Sequence, residues 1–247
     1  MRRLNLTVAE VETPRGHPLD GLIERQGPED ARSQLGAAAL EEMASAGSTQ
    51  VDAAVVVGDL RMSGFLLKEA VEPALYARFI IGFTEAVRNL AYDQHGWFDK
   101  FTGDGFIAFW IQRDDPPPGV TLVPQFCQTV MPAAESFIAN LRRNSRNFPV
   151  GVGLSLGVDS GPCQLIRVGD SLTVVGSPIV GATRMVAAAR ARQTLVNVYL
   201  GEALQRAEVR LAEEGIRVSR TAVRTKEYPD GQEAFELVLP GLLHTTA

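Results

Sequence analysis

The feature that most constrains the fold is a continuous run of small and β-branched residues at positions 53–58, Ala-Ala-Val-Val-Val-Gly, followed directly by Asp59. Apolar runs of this length without alternating polar residues are typical of a strand in the interior of a sheet. The run therefore predicts a buried strand that carries Asp59 at its C-terminal end.

Strand and helix patterns alternate along the rest of the chain. They predict, in chain order, helical residues 64–92 broken at Pro73, strands over 96–101 and 106–110, a helix over 123–144, a strand over 150–158 that ends in a turn at 160–162, a hairpin over 165–175, a helix over 178–191, and strands over 194–198 and 232–239. The two aromatic-rich strands are joined by the tight turn Thr-Gly-Asp-Gly, which contains Asp104. The order βαββαβ predicts an α+β fold of the ferredoxin-like type, a sheet with its helices on one face.

The length of the chain allows one main domain with an extension. It has 247 residues, of which 45% are hydrophobic and 21% are charged, as in ordinary globular proteins. Residues 1–50 are predicted to form an N-terminal extension with one helix over 28–46. Residues 51–240 then form the main domain.

The charge and the reactive residues exclude several classes of function. A net charge of −5 gives no basic surface for nucleic acid, and the apolar runs are far shorter than the roughly 20 residues of a membrane helix. The N-terminus lacks the apolar region of a secretory signal, so we expect a cytoplasmic protein. The cysteines and histidines have neither metal-site nor disulfide spacing, and we interpret them as packing and surface residues. They are Cys127, Cys163, His17, His95 and His244.

Two carboxylates, Asp59 and Asp104, stand where a strand ends and where a hairpin turns. If the strand at 53–58 pairs with the hairpin, the two side chains lie on neighbouring strands about 4.8 Å apart and can reach the same hard cations. An Asp-Gly pair in a hairpin is also a common turn sequence. Spacing alone leaves both interpretations open.

Residues 97–106, Trp-Phe-Asp-Lys-Phe-Thr-Gly-Asp-Gly-Phe, resemble the motif of class III nucleotidyl cyclases in which a lysine stands shortly before Gly-Asp. Residues 55–63 resemble the first metal-binding strand of that family, and residues 173–184 resemble the strand and helix that complete its site. The segments follow the family order over residues 52–239. The resemblance implies a class III cyclase core that converts a nucleoside triphosphate to a 3′,5′-cyclic nucleotide and pyrophosphate.

The resemblance also implies a site for two divalent metal ions, Mn or Mg. Their ligands would be Asp59, Asp104 and the backbone carbonyl of Leu60. One ion would lower the pKa of the ribose 3′-hydroxyl and the other would hold the triphosphate, so that the 3′-oxygen attacks the α-phosphorus.

Several residues match positions that contact the phosphates in the family. The helix that starts at Ser63, Gly64 and Phe65 offers unpaired backbone N–H groups to an anion. Arg184 matches the arginine that stabilises charge on the transferred phosphate, and Lys226 resembles a late lysine that contacts the terminal phosphates. Taken alone, Ser63 fits a helix N-cap and Arg184 fits a solvated helix position.

Other residues bear on the choice of base. Lys100 and Thr173 match the two base-selecting positions of the family, although each alone fits an ordinary strand residue. Val180 stands where the family usually has an asparagine that orients the ribose. Arg61, a candidate substrate-binding residue, and Met62 also depart from the usual residues. These departures predict a working enzyme with an altered base pocket.

The pattern is most similar to the stand-alone pyrimidine cyclases of bacterial antiphage systems, the Pycsar cyclases. That resemblance implies cyclic UMP or cyclic CMP as the product and a separate effector protein that acts downstream. It also implies a homodimer, with the metals from one chain facing Lys100, Thr173 and Arg184 of the other. An adenylate or guanylate cyclase, or a catalytically silent cyclase-homology module, remains an alternative.

Overall fold

The computed structural model of the chain describes residues 19–241, so the predictions for His17 and His244 lie outside the described residues. The helices are α1 (Asp20–Gln26), α2 (Ala31–Ala46), α3 (Ser63–Glu69), α4 (Pro73–Asp93), α5 (Pro118–Arg143), α6 (Ser177–Ala188), α7 (Val198–Arg206) and α8 (Glu208–Glu213). The strands are β1 (Ser48–Arg61), β2 (Trp97–Phe101), β3 (Gly105–Ile111), β4 (Gly153–Val168), β5 (Ser171–Val175), β6 (Thr194–Asn197), β7 (Arg217–Val223) and β8 (Gln232–Val238). None of the described helices is long and apolar enough to cross a lipid bilayer.

The strands form one mixed sheet in the order β2-β3-β1-β4-β6-β8-β7, and β5 pairs with β4 beside this path. β1 lies at the centre of the half that carries the predicted site, antiparallel to β3 from Ala53 to Asp59 and to β4 from Ser48 to Arg61. The pairing confirms the strand predicted from the apolar run. It also confirms the α+β class and the ferredoxin-like core, in which β4 and β6 are the parallel pair.

Alternate residues of β1 face two separate cores. Ala54 and Val56 lie in the core formed with α4 and α5. Val55 and Val57 lie in a second core, formed with α1, α2 and α6 on the opposite face. Because side chains two residues apart along a strand share a face, Asp59 projects from the face of this second core. The prediction of helices on one face is therefore wrong, since the N-terminal helices and α6 cover the other.

Two helices precede β1 where the sequence predicts one. α1 has 7 residues, too few for apolar periodicity to stand out, yet its Leu22 and Ile23 are buried against the sheet. α2 ends at Ala46, as predicted, and is interrupted at Gly36, which has a φ of 72°. A positive φ of this kind favours glycine, so the kink has a local cause in the sequence.

The turn predicted at 160–162 is wrong, because these residues lie within β4 and pair with β1. β6 pairs with β4 up to Val158, and β5 pairs with it from Gln164. Between Val158 and Gln164, β4 has a neighbouring strand on one side only among the described residues, and that strand is β1. Pro162 has no N–H group to pair, so it fits a strand with one free edge. The hairpin predicted over 165–175 is confirmed as the end of β4 and β5.

Replacing Gly157 by alanine is expected to destabilise the fold by about 3 kcal/mol. A Cβ at this position in β4 would lie 2.0 Å from the carbonyl oxygen of Ala182 and 2.3 Å from the backbone nitrogen of Val186. Because both are backbone atoms, α6 would have to move off the sheet. Urea denaturation measures the loss. Gly21→Ala is the control, since its Cβ would meet only the flexible end of Arg25, and an equal loss in both variants would contradict this account.

Candidate active site

The end of β1 and the β2-β3 turn hold Asp59 and Asp104 side by side. Asp59 pairs with Gly105, and the N–H of Leu60 donates to the backbone oxygen of Asp104 at 3.1 Å. A Cβ on Gly105 would lie 2.1 Å from the carbonyl oxygen of Gly58, so only glycine permits this close approach of the two strands. The structure therefore joins the turn to the strand end at the point where the sequence places both carboxylates.

Asp59 has a cationic partner, Arg61, and Asp104 has a hydroxyl partner, Ser63. Burial raises the pKa of Asp59, Arg61 lowers it, and the charge of Asp104 raises it again. Arg61 lies 3.2 Å from one carboxylate oxygen of Asp59 through one guanidinium nitrogen and donates to the carbonyl of Val186 through the other. The Ser63 hydroxyl donates to the carboxylate of Asp104. Negative charge is thus concentrated here and only partly neutralised.

This arrangement fits a hard divalent cation. Two neighbouring carboxylates, one of which has its pKa raised by the charge of the other, offer oxygen ligands of the type that Mg and Mn prefer. The described residues contain no group of three or more histidine, cysteine or acidic side chains that could hold a metal. Mg commonly takes one or two carboxylates and completes its shell with water and substrate oxygens. The aliphatic side chain of Leu60 has no ligand atom, so only its backbone carbonyl could contribute.

The start of α3 differs in detail from the predicted N-cap. Met62 occupies the N-cap position with a φ of 66°, and no side chain caps the helix. The Ser63 hydroxyl is committed to Asp104 instead. Gly64 is exposed and Phe65 is half-buried, directly after the strand end that carries Asp59. The structure therefore uses Ser63 as a partner of the carboxylate pair.

Lys100 reaches its position through a β-bulge in β2. The register between β2 and β3 shifts between Phe98 and Lys100, so that Lys100 lies opposite Ile107. Ile107 pairs with Val57, which faces the same side as Asp59. Without the extra residue that the bulge inserts into β2, the Lys100 side chain would face the other side of the sheet.

Lys100 and Thr173 form a hydrogen-bonded pair. The Lys100 ammonium donates to the Thr173 hydroxyl oxygen at 2.8 Å and lies 3.4 Å from a carboxylate oxygen of Asp99. The Asp99 side chain is 1% exposed. Burial raises its pKa, while hydrogen bonds from Thr173, the charge of Lys100 and the N–H of Val174 oppose that rise. Asp99 therefore orients the two residues that match the base-selecting positions.

Arg184 lies on α6 in a second cationic region. It forms an ion pair with Glu227 at 3.4 Å, and its Nε is buried without a hydrogen-bond partner. Arg184, Arg224, Lys226 and Glu227 line one open cavity of about 400 Å³. Val180 stands one turn before Arg184 and is 49% exposed. This region offers three positive side chains around a space large enough for phosphate groups.

The predicted site residues fall into separate groups within one chain. Among the described residues, the ion pairs of Arg184 and Lys100 do not include Asp59 or Asp104. α6 instead contacts the carboxylates indirectly, through the bond between Arg61 and Val186. One chain thus presents a carboxylate pair, a lysine–threonine pair and a cationic cavity.

Sequence reasoning missed two residues that complete these groups. Asp99 precedes Lys100 directly, and its adjacency to a lysine in an aromatic strand was the available signal. Glu227 follows Lys226 and pairs with Arg184 across a long sequence separation, for which the sequence carries no local signal.

The fold is shared with solved cyclase domains. No protein-family model and no curated protein sequence matches the chain. The adenylyl cyclase CyaB from P. aeruginosa is similar with a TM-score of 0.62 and 18% identity, over 77% of this chain and 95% of that one. The guanylyl cyclase Cya2 is similar with a TM-score of 0.63 and 15% identity, over 81% and 98%. The guanylate cyclase domain of RhGC from Catenaria anguillulae, solved in complex with GTP, gives 0.53 and 12%, over 77% and 98%.

Identities this low show the fold alone. The chain has the class III cyclase fold, and the neighbours match it over nearly their whole length.

Proposed function

We propose that this chain is a nucleotidyl cyclase that converts a pyrimidine ribonucleoside triphosphate, UTP or CTP, to its 3′,5′-cyclic monophosphate and pyrophosphate. The observation that carries the proposal is the convergence of Asp59 and Asp104 at the strand end and hairpin turn of a class III cyclase fold. In this account residues 51–240 form the catalytic domain of a cytoplasmic protein.

In the reaction, the ribose 3′-oxygen loses its proton and forms a bond to the α-phosphorus, while the bond from the α-phosphorus to the bridging oxygen breaks and pyrophosphate leaves. Bound at the carboxylate pair, divalent metal ions would lower the pKa of the 3′-hydroxyl and neutralise triphosphate charge. Asp59 and Asp104 would hold them, together with the carbonyl of Leu60. The Ser63 hydroxyl keeps the Asp104 carboxylate oriented toward the site.

The positive residues suit the phosphates. Arg184 presents a planar fork of donors that matches a phosphate, and Lys226 lines the same cavity. Backbone N–H groups of Ser63, Gly64 and Phe65 would meet the phosphates on the side of the carboxylates. Within one chain Arg184 pairs with Glu227 and Asp59 pairs with Arg61, so the complete site would form between two chains of a homodimer, with Arg184 of one chain facing the carboxylates of the other.

The base would be bound by Lys100 and Thr173. Toward a ligand, the Thr173 hydroxyl oxygen would offer an acceptor and the Lys100 ammonium would offer donors. Every nucleobase has an adjacent acceptor and donor on its base-pairing edge. The Lys100–Thr173 pair would therefore bind that edge of any base, and the shape of the pocket would select among the bases. Preference for pyrimidines is supported by apolar, half-exposed Val180 at the usual asparagine position.

The proposal is tested by incubating the protein with Mn or Mg and all four ribonucleoside triphosphates, and by identifying the products by mass. Cyclic UMP or cyclic CMP is expected to exceed the purine products at least about tenfold, a discrimination of about 1.4 kcal/mol. A parallel reaction with EDTA is the control. Dominant cyclic AMP or cyclic GMP would contradict the pyrimidine preference, and absence of every cyclic product would favour a silent cyclase-homology module.

A second candidate function is an adenylate or guanylate cyclase. It is favoured by the Lys100–Thr173 pair, which occurs at the base-selecting positions of adenylate cyclases in the family that the sequence resembles. If a pyrimidine product is found, a second messenger in antiphage defence that acts on a separate effector protein becomes the physiological hypothesis.

A further inference from the structure

α1 lies between the edges of two strands that are not paired with each other. β2 and β5 stand on opposite sides of β3, β1 and β4 in the sheet, yet they approach each other, and α1 contacts both. Leu22 and Ile23 of α1 share a buried core with Trp97 of β2 and Leu172 of β5. The helix therefore closes the gap between the strands that carry Lys100 and Thr173.

Gln26, the last residue of α1, binds the free edge of β5. Among the described strands β5 pairs only with β4, so its other edge presents N–H groups that have no strand partner. The side-chain oxygen of Gln26 accepts from the N–H of Leu172 at 2.5 Å. On its other side, the Thr173 hydroxyl oxygen accepts from the Lys100 ammonium of β2 at 2.8 Å. Thr173 is thus held by α1 through Leu172 and by β2 through Lys100.

α2 fixes the start of β2 in a similar way. The side-chain oxygen of Gln34 accepts from the indole N–H of Trp97 at 2.8 Å, and its amide nitrogen donates to the carbonyl of His95 at 2.8 Å. Trp97 stacks on Phe109 with a ring separation of 5.6 Å. The two N-terminal helices therefore hold both strands of the Lys100–Thr173 pair.

We infer that Gln26 is a positioning residue for base recognition: its hydrogen bond to Leu172 holds Thr173 within reach of Lys100 and so maintains the discrimination between bases. The inference rests on the proposed function, because it assigns the Lys100–Thr173 pair to the base. Gln26 acts through β5 and does not touch the substrate. Without its oxygen, the buried N–H of Leu172 loses its partner and the edge of β5 can shift.

The test compares Gln26→Leu, which removes the acceptor at similar volume, with Gln26→Glu, which keeps an acceptor. For each variant, kcat and KM are measured with all four triphosphates. In Gln26→Leu the ratio of kcat/KM between the best and the second-best base is expected to fall about fivefold, the factor that one hydrogen bond of about 1 kcal/mol supplies. The loss of discrimination should appear in KM and not in kcat, and Gln26→Glu should restore most of the kcat/KM ratio between the bases. Glu24→Ala, an exposed change on the same helix, is the matched control.

The outcomes separate a positioning role from a structural one. A lowered thermal midpoint in Gln26→Leu with unchanged discrimination would overturn the inference and leave the proposed function intact. Wild-type protein that converts no triphosphate would overturn the proposed function and this inference with it. If Gln26→Leu does not fold, Gln26→Asn replaces it, because its shorter side chain cannot reach Leu172 and the same fall in discrimination is expected.

Discussion

Asp59→Asn and Asp104→Asn are each expected to lower kcat by a factor of about 1,000 or more, equivalent to about 4 kcal/mol of transition-state stabilisation. Asparagine has the size of aspartate but lacks the charge that a divalent cation requires. The two carboxylates would act on one site, since Asp104 is close enough to raise the pKa of Asp59. Their combined loss should therefore cost little more than either loss alone, as for residues that act as a unit.

The fold should survive both substitutions. Burial raises the pKa of Asp59, so its charge is unfavourable in the folded protein at neutral pH, and removing it is expected to change the thermal midpoint by no more than about 4 °C. The measurements are initial rates with Mn or Mg, Mn binding by titration calorimetry, and circular dichroism on heating. Asp52→Asn is the control, because Asp52 is an exposed carboxylate on the same strand. Near wild-type turnover in Asp59→Asn or Asp104→Asn would overturn the assignment of the metal ligands.

Mixing two inactive variants, Asp59→Asn and Arg184→Ala, is expected to restore about a quarter of wild-type activity. In a two-fold dimer each site would take its carboxylates from one chain and its arginine from the other. Random exchange makes half of the dimers mixed, and one of the two sites in a mixed dimer carries neither substitution, which gives about a quarter of intact sites. The physical basis is that, within one chain, Arg184 pairs with Glu227 and Asp59 pairs with Arg61.

The matched control for this experiment is a mixture of Asp59→Asn with Asp104→Asn. Both substitutions fall in the same half of each site, so every site in their mixed dimers carries one of them. Subunit exchange is verified by native mass spectrometry with a mass tag on one variant. Exchange without recovery in the Asp59→Asn and Arg184→Ala mixture would show that each chain carries a complete site.

The carboxylate pair could be predicted from the sequence because both of its members stand on local signals. The apolar run identifies β1 and its end, and the Gly-Asp-Gly turn identifies the hairpin. Their pairing needed only the assumption that the strand and the hairpin are neighbours, and the structure has that pairing from Ala53 to Asp59. Local strand and turn chemistry therefore located Asp59 and Asp104 in the fold.

The surroundings of the Lys100–Thr173 pair could not be predicted, because they depend on distant contacts. Lys100 and Thr173 are 73 residues apart and meet only because the edges of β2 and β5 approach each other. The bulge that turns Lys100 to the face of Asp59 is a change of register, and no residue type in β2 indicates it. Likewise, the bond from Gln26 to Leu172 spans 146 residues. Sequence patterns report periodicity within an element and carry little information about such pairings.

The long pairing of β1 determines where this protein can change in length. β1 is paired with β4 along all of its 14 residues, and its side chains alternate between two cores. A residue inserted into or deleted from the interior of β1 would turn Asp59 to the opposite face of the sheet. Apolar side chains of the run would then face the wrong one of the two cores. The position of the Asp59 carboxylate thus depends on every residue of β1 back to the start of the strand at Ser48. Insertions and deletions should be tolerated before Ser48, for example at exposed turns of the N-terminal extension, and selected against within β1. Natural variation in length would then mark the boundary between the extension and the sheet.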